Sequence, residues 1–315
     1  MTGFLVRRLL QTLVTLFMVT VITFVLCQVL PGDPALARAG SEGASKELIE
    51  AARKDLGLDQ PLPVQYAKWM GAMLTGDFGL STRSRVPVTE LFAQRLPVTL
   101  EVLVFAVIYA LALGIPLGVI SALYANTWID TTGTVIAVTG VAMPQYFQGM
   151  LLILVLSVWL GWLPASGYVP PSQGLWANLL GMVMPAITLG SVVAAEVMRQ
   201  LRSSMLEVLG EEYVQTARAK GVSESGVILR HALRNALIPV VTIIGMRIGR
   251  LIGGIVVIEV VFSMPGIGQL LMNSVLNNDF PVVQAGVLMV AVVVTLINLV
   301  TDVSYMFIDP RIRHA

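Results

Sequence analysis

The sequence predicts an all-α protein that crosses a membrane six times, and three observations support this fold class. Of the 315 residues, 56% are hydrophobic and only 12% are charged, against roughly 25% charged residues in soluble domains. The mean hydropathy is +0.81. Six apolar runs are long enough to cross the roughly 30 Å hydrocarbon core of a bilayer. This composition excludes a soluble globular enzyme, a disordered chain and a disulfide scaffold, and the net charge of +1 does not indicate a nucleic-acid partner.

The six predicted spans are residues 9–30, 99–124, 132–163, 181–201, 240–262 and 282–308. Arg7 and Arg8 precede the first run as they would in a signal peptide. That run is longer than the roughly 7–15-residue apolar region of such peptides, so we expect an uncleaved helix. The third run contains Pro144, Gln145 and Gln148. It is predicted to be kinked or to begin before the bilayer.

Lys and Arg are unevenly distributed between the loops, which predicts the orientation of the chain. With the N-terminus inside, the inner segments and the end of span four contain ten basic residues, whereas the outer loops 164–180 and 263–281 contain none. Both termini are therefore predicted to be cytoplasmic. The predicted division of the chain is a cytoplasmic N-terminus with the first transmembrane helix at 1–30, an external segment with short helices at 31–98, and a core of five transmembrane helices at 99–315.

The external segment contains signals for two short helices. Ser45 is predicted to cap the first helix, which Gly57 ends. The second helix, over 64–74, groups Tyr66 and Trp69 with apolar neighbours and is predicted to lie at the membrane interface. The segment is either a cap that packs on the spans or a docking surface for an external partner.

The segment 202–239, here called the elbow, is the longest predicted cytoplasmic connection. Its predicted elements are, in order, a continuation of span four over 205–209, a break at Gly210, a short helix over 211–220, a stop at Gly221, and a third helix capped by Ser223 that runs over 224–237 up to Pro239. The short helix has acidic residues first and basic residues last, which suits the helix macrodipole. The residues alone leave two alternatives, docking into a groove of a soluble partner, which the small Ala217 and Ala219 suit, or a solvated loop.

Two arginines are predicted near the middle of a span, where ionisable groups are costly and mark function. Arg247 and Arg250 lie about 12–17 Å beyond Pro239 at roughly 1.5 Å per residue. One hypothesis is that they line a translocation pathway and attract an anionic group, such as a peptide C-terminus. The alternative is a buried ion pair in which Asp302, Glu196 or a partner subunit supplies the acid.

Three further features of the spans have predicted roles. Glu259, near the outer end of span five, is expected to contribute to an external gate on the pathway or to reach the lipid headgroups. Glu196, Arg199 and Arg202 are spaced for a local salt-bridge ladder. Small-residue faces for close or sliding helix contacts are predicted at Gly245, Gly249 and Gly253 and at Gly114 and Gly118.

The chain lacks the motifs of several enzyme classes. It contains no Gly-Lys dipeptide, so it has no phosphate-binding loop for ATP. Both histidines, His231 and His314, fall in predicted cytoplasmic segments, and Asp302 is the one Asp placed in a span. We therefore expect no catalytic residue, no metal site and no cofactor in this chain. A channel and a receptor stay open from these residues alone.

Several strings resemble permease subunits of binding-protein-dependent ABC importers, most closely the dipeptide, oligopeptide and nickel branch. They are RRLL at 7–10, LPGDPA at 30–35, DFGLSTRS at 77–84, EEYVQTARAKG at 211–221, HALRNALIPV at 231–240, EVVFSMPGIGQLL at 259–271 and IDPRIRHA at 308–315. They cover nearly the whole chain in the order of that branch. The elbow resembles the EAA loop of these permeases, although Gln215, Thr216 and Ala217 stand in the Glu-Ala-Ala positions. Gly221 matches the glycine of that motif.

The resemblance implies the type I importer permease (MetI-like) fold in a multi-pass protein of the bacterial inner membrane. The implied partners are a second, homologous permease that forms a heterodimer with this chain, two ABC ATPase subunits that hold ATP and Mg, an external solute-binding protein, and membrane lipid. Transport would proceed by alternating access. A dipeptide or oligopeptide is the expected substrate, with glutathione, nickel complexes or another small solute as the alternative.

The same resemblance identifies the short helix of the elbow as a coupling helix, which sits in a cleft of an ATPase subunit. The residues assigned to this contact are Glu211, Glu212, Tyr213, Thr216, Ala217, Arg218, Ala219, Lys220 and Gly221. The residues assigned to the pathway, from their charge and predicted depth, are Arg247, Arg250 and Glu259.

Overall fold

The computed structural model describes residues 2–29, 35–36, 45–55 and 57–308, without the side chains of 2–6, 55, 242, 246, 248, 250 and 300–308. Helices account for most of these residues. In chain order they are α1 (Thr2–Val29), α2 (Lys46–Asp55), α3 (Leu62–Leu74), α4 (Val88–Leu123), α5 (Trp128–Ala142), α6 (Gln145–Leu152), α7 (Leu175–Leu209), α8 (Glu212–Ala219), α9 (Leu233–Val261), α10 (Ile267–Leu276) and α11 (Phe280–Ile308). Wider π-helical turns extend α6 over Ile153–Trp159 and precede α9 over Val227–Ala232.

The described part of the chain has five helices long and apolar enough to cross a membrane, or six spans if the bent pair α5–α6 counts as one. This confirms the predicted all-α membrane fold. Several helices are longer than their predicted spans. The 35 residues of α7 correspond to roughly 50 Å, which exceeds the roughly 30 Å hydrocarbon core. The helix therefore continues beyond the apolar run from which the span was predicted.

The predicted third span is broken rather than merely kinked. α5 and α6 meet at an angle of 107°. Met143 lies between them in an extended conformation, with φ −83° and ψ 134°. The ring of a proline clashes with a helical conformation at the preceding residue, so α5 ends before Pro144 and α6 begins after it. α5 also begins at Trp128, four residues before the predicted start of the third span at residue 132, which corrects that boundary.

The chain divides into two compact units, Met1–Thr99 with Pro265–Val300, and Leu100–Met264 with Thr301–Ala315. The end of the first segment lies beside the predicted boundary at residue 98. The first unit also takes in 265–300, which lie in the predicted core. The predicted division by side of the membrane is a different property and stays a prediction.

In the first unit, α3 packs on α1 through aromatic side chains. The rings of Tyr66 and Trp69 lie 5.5 and 5.9 Å from the ring of Phe24. The Tyr66 hydroxyl is 2.8 Å from Thr20 Oγ1. The Ser45 cap is confirmed, since its hydroxyl oxygen accepts a backbone N–H of α2 at 3.3 Å. These contacts favour the interpretation of the external segment as a cap that packs on a span.

A buried carboxylate fixes the loop at 77–84 in the same unit. Asp279 is 4% exposed. It accepts a hydrogen bond from Ser81 Oγ at 2.5 Å, and bonds from the backbone N–H and the hydroxyl of Thr82 at 2.9 and 3.0 Å. A buried carboxylate is tolerated when its oxygens are hydrogen-bonded. The DFGLSTRS string therefore has a structural role, because it holds this loop against the turn before α11.

In the second unit, α4 and α7 touch backbone to backbone. A Cβ atom placed on Gly190 would lie 2.5 Å from the carbonyl oxygen of Ala106. One placed on Gly114 would lie 2.8 Å from the carbonyl oxygen of Ala194, and one on Gly118 would lie 2.9 Å from another carbonyl of α7. Only glycine leaves room for this approach, so the close helix contact predicted for Gly114 and Gly118 is confirmed.

On α9, a glycine that closely approaches another helix of the second unit is not one of the predicted three. A Cβ on Gly253 would meet nothing within 4 Å, whereas one on Gly254 would lie 2.8 Å from Gln145 Oε1. The contact of α9 with α6 therefore uses Gly254, whereas Gly253 makes no close contact among the described residues of this chain, and the predicted face stays a prediction. The spacing of glycines does not show which face of a helix meets its neighbour.

Polar contacts near the start of α7 also join it to α4. Glu101 accepts hydrogen bonds from Tyr168 Oη and Asn178 Nδ2, both at 2.7 Å. Burial and the neighbouring Glu101 carboxylate raise the pKa of Tyr168 to about 12, so the phenol keeps its proton at neutral pH and donates. Asn178 Nδ2 also donates to the carbonyl oxygen of Val169 at 2.9 Å. The loop before α7 is therefore tied to both helices.

We expect Gly190→Ala to lower the free energy of unfolding by about 1–3 kcal/mol, the usual cost of overpacking, because the added methyl group meets a backbone carbonyl. Gly181→Ala, on the same helix, is the matched control. A Cβ there meets nothing within 4 Å, so this variant is neutral or stabilised by up to about 1 kcal/mol through helix propensity. Thermal unfolding in detergent measures both, and equal melting temperatures would contradict the backbone contact.

Candidate functional site

The elbow consists of short helical elements that follow the C-terminal end of α7. α7 continues to Leu209, Gly210 follows it, and α8 comes next, as predicted. Gly221 then adopts φ +79°, a left-handed conformation that glycine reaches at little cost. Ser223 stands at the N-cap of the following helix, but its hydroxyl makes no capping hydrogen bond. The predicted order of elements in the elbow is confirmed up to this point.

The third helix of the elbow does not end before Pro239, contrary to the prediction. The π-helical stretch Val227–Ala232 leads directly into α9, and Pro239 lies inside that helix. A proline removes one N–H donor, but a continuous helix keeps the other backbone groups bonded, and an open break within a membrane would leave more of them unpaired. The elbow is therefore continuous with the fifth predicted span.

A small apolar core holds α8 against the rest of the elbow. It consists of the buried residues Val214, Ala217 and Val227, with Val208 and Leu209 packed against them. Ala217 thus faces its own chain, although it was expected to suit a partner's groove, whereas Ala219 is exposed. Sequence spacing did not distinguish the two alanines, because either face of so short a helix has few apolar residues.

Two polar contacts tie α8 to the chain that follows it. Arg218 donates from Nη2 and Nε to the two carboxylate oxygens of Glu224, at 2.8 and 3.2 Å. Asn235 Nδ2 donates to the hydroxyl of Tyr213 at 2.8 Å. Both contacts are exposed, so each contributes little stability, but together they fix the orientation of α8.

The outer face of α8 is open to solvent. Of the residues predicted to contact an ATPase, the exposed ones are Glu211, Glu212, Tyr213, Thr216, Ala219, Lys220 and Gly221. Arg218 is half-buried, and Tyr213 is 41% exposed although its hydroxyl is bonded. A face that its own chain already holds in one orientation loses little entropy when a partner binds. α8 thus presents an exposed face that its own chain holds in place.

An ion pair joins α7 and α9 among the predicted spans. Arg247 Nε lies 2.6 Å from Glu196 Oε2, and the two side chains are 30% and 15% exposed. They line a cavity of about 230 Å³ together with Arg199, Gln200 and Ile243. For Arg247 the structure therefore shows an ion pair, with Glu196 as the acid. The pair borders open space, and it is a charge contact without a hydrogen bond to Glu196 Oε2.

The other two predicted pathway residues are placed differently. The side chain of Arg250 lies outside the described residues. Glu259 is fully buried, so the alternative that it reaches the headgroups was wrong. Its role in a gate requires a conformation in which its surroundings open, and it stays a prediction. Within the described ranges, no three His, Cys, Asp or Glu side chains are grouped as they would be around a metal ion.

The predicted ladder of Glu196, Arg199 and Arg202 is wrong, because the charges pair across helices instead of along α7. Glu196 pairs with Arg247, and Arg202 pairs with Asp130 of α5 at 2.6 Å. Asp130 was not predicted as a site residue, because it lies between the predicted spans 99–124 and 132–163. A single acidic residue among Trp, Ile and Thr was the available signal for burial.

Two family models match the chain. The first is described as "Binding-protein-dependent transport system inner membrane component" and matches residues 114–314. The second is described as "Binding-prot-dependent transport system membrane comp, N-term" and matches residues 1–103. The elbow and the ion pair between α7 and α9 both fall within the first match.

The chain is also similar along its whole length to curated relatives. It is 45% identical over 314 residues to the Glutathione transport system permease protein GsiC of Escherichia coli (strain K12), with 100% of each chain covered. Proteins of the same name from Shigella dysenteriae serotype 1 (strain Sd197) and Salmonella typhi show the same identity and coverage.

We expect Val214→Asp to open the elbow, because it places a carboxylate without a partner in the small apolar core. Tryptic cleavage after Lys220 should accelerate by about tenfold or more, since cleavage follows the population of locally open chain. Gln215→Asp adds the same charge at the neighbouring exposed position and is the matched control. Equal cleavage rates in the two variants would show that the core does not hold α8.

Proposed function

Because the chain belongs to the family of binding-protein-dependent transport system inner membrane components, it is the permease of an ABC importer, and we propose that α8 is where the ATPase engages it. The observation that carries this proposal is the exposed face of α8, which the core of the elbow holds in one orientation. A rigid face transmits a displacement, whereas a solvated loop would absorb it. The chain has no phosphate-binding loop of its own.

The proposed assembly follows from this role. ATP and Mg are held by two ATPase subunits, one under this permease and one under a second, homologous permease with which it forms a heterodimer. Both termini and the elbow lie in the cytoplasm, as the distribution of Lys and Arg favours. The solute-binding protein that the family name includes delivers substrate to the opposite side, and the pathway then opens alternately to each side.

The proposed substrate is a short peptide with a free carboxylate. The curated relatives are named for glutathione transport, and glutathione is itself a small anionic peptide, so it is the first substrate to test. Other dipeptides or oligopeptides fit the same chemistry. The alternative substrates are nickel complexes or another small solute, and an uptake assay that includes them tests these alternatives.

The proposed pathway passes the cavity beside Arg247. Its guanidinium can bind a substrate carboxylate, while Glu196 neutralises the arginine when the cavity is empty. An ionisable pair of this kind avoids the cost of an unpaired charge within the membrane. Because Glu196 competes with the substrate carboxylate for Arg247, the affinity for substrate stays low enough for its release.

Copurification and labelling test the docking proposal. We expect tagged permease to copurify with an ATP-hydrolysing subunit. A Lys220→Cys variant, made in a Cys27→Ser background, should react with a membrane-impermeant maleimide only in inside-out vesicles. Gln173→Cys, in a predicted outer loop, is the control and should react only in right-side-out vesicles. Labelling of position 220 from outside, or a complex without ATPase, would contradict the proposal.

Substrate charge tests the pathway proposal. Arg247→Gln should raise the KM for glutathione uptake by about tenfold, the effect of losing a hydrogen bond between charged groups. Uptake of a C-terminally amidated dipeptide should change little. Glu196→Gln should lower the KM for the anionic substrate, because it releases Arg247 from its partner. An equal effect of Arg247→Gln on both substrates would show that the arginine does not read the carboxylate.

A further inference from the structure

A second buried carboxylate joins α5 to α7, at the residue where the elbow begins. Asp130 is 5% exposed. It accepts hydrogen bonds from Arg202 Nε at 2.7 Å and Arg202 Nη2 at 2.6 Å, one to each carboxylate oxygen. Ser121 Oγ donates to the same carboxylate, and so does the backbone N–H of Asn126 at 2.9 Å. Four donors therefore converge on one side chain.

The position of this pair connects three helices. Ser121 belongs to α4, Asp130 to the first turn of α5, and Arg202 to α7 about two helical turns before Leu209. Only Gly210 and Glu211 separate the end of α7 from α8. The pair therefore lies close to one of the two places where α8 is connected to the predicted spans, the other being α9.

The remaining contacts between α4 and α7 show why the end of α7 that carries Arg202 matters. At Gly114, Gly118 and Gly190 the backbones of α4 and α7 approach so closely that no side chain fits between them. Glu101 fixes the opposite end through Tyr168 and Asn178. Polar bonds therefore hold both ends of this contact. If the Arg202 end is released, the last turns of α7 can bend without α4.

Stability alone is a poor explanation for a buried ion pair. The cost of removing two charges from water offsets most of their attraction, and an apolar contact of the same volume is often as stable. The pair instead fixes an orientation, because two parallel N–H···O bonds form in only one relative arrangement of guanidinium and carboxylate. Its geometry therefore suits a mechanical connection between helices.

We propose that Asp130 and Arg202 are positioning residues that make the elbow end of α7 move together with α4 and α5. A displacement of α8 then reaches three helices instead of bending one. This inference rests on the proposed function, in which an ATPase moves α8. Neither residue needs to touch the substrate or the ATPase.

The test measures substrate uptake per ATP hydrolysed in proteoliposomes that contain the whole transporter and its binding protein. Asp130→Asn and Arg202→Gln should each lower this ratio by at least about fivefold, within the roughly 5–150-fold range of coupling between sites. The double variant should lose no more than either single variant, because all three remove the same contact. Asp130→Glu keeps the charge and should recover part of the ratio.

The controls separate coupling from folding. Thr131→Ala and Ser203→Ala change the exposed neighbours of the two residues and should leave the ratio unchanged. A merely structural role would lower the amount of assembled transporter, and so uptake and hydrolysis in proportion, without changing their ratio. If the single variants do not assemble, the double variant, which buries no unpaired charge, supplies the measurement. The inference would be overturned if the double variant showed the wild-type ratio of uptake to hydrolysis. It would also be overturned if the loss in the double variant equalled the sum of the losses in the two single variants.

The outcome also distinguishes this inference from the proposed function. If no ATPase copurifies with the wild-type permease, the proposed function fails. If the ATPase copurifies with wild type and variants alike and the ratio does not fall, the proposed function stands and only the role of Asp130 and Arg202 is rejected.

Discussion

The backbone contact between α4 and α7 is the constraint on which the second unit depends. Lipid tails are as apolar as leucine, so apolar side chains alone give helices in a membrane little reason to associate. Close van der Waals contact and polar bonds between helices must replace the hydrophobic effect. Here glycines supply the first, and carboxylates at both ends, Glu101 and Asp130, supply the second. The position of every element attached to α7, including the elbow, follows from this contact.

The elbow shows how a few residues make a stable surface on a short helix. Eight residues of α8 would not stay helical alone, since isolated helices shorter than about 12–15 residues are marginal in water. Val214 and Ala217 anchor it from one side, and Arg218 and Tyr213 are bonded to the following chain. The chain itself thus holds the exposed face of α8 in one orientation, as the proposed docking of an ATPase requires.

Two pairs of charged residues join helices of the second unit. Glu196 with Arg247 and Asp130 with Arg202 use similar chemistry in different surroundings. The first pair borders a cavity and makes a single close contact, so it can exchange partners. In the second pair Arg202 is 28% exposed but the Asp130 carboxylate is only 7% exposed, and it accepts bonds from two guanidinium nitrogens, from Ser121 and from a backbone N–H. The number of bonds to the carboxylate, rather than residue type, therefore distinguishes the two pairs, for which we propose substrate handling and mechanical connection respectively.

The sequence by itself determined the all-α membrane fold, the order of elements in the elbow and the family, because apolar runs, helix-ending glycines and long strings of matching residues are local properties of the chain. It did not determine that α9 passes through Pro239, that Gly254 rather than Gly253 meets α6, or that Asp130 is buried beneath Arg202. Each of these depends on which neighbour a helix face meets. The neighbour that a helix face contacts is determined by packing and charge pairing between residues far apart in sequence. The spacing of residues along one helix does not predict that neighbour.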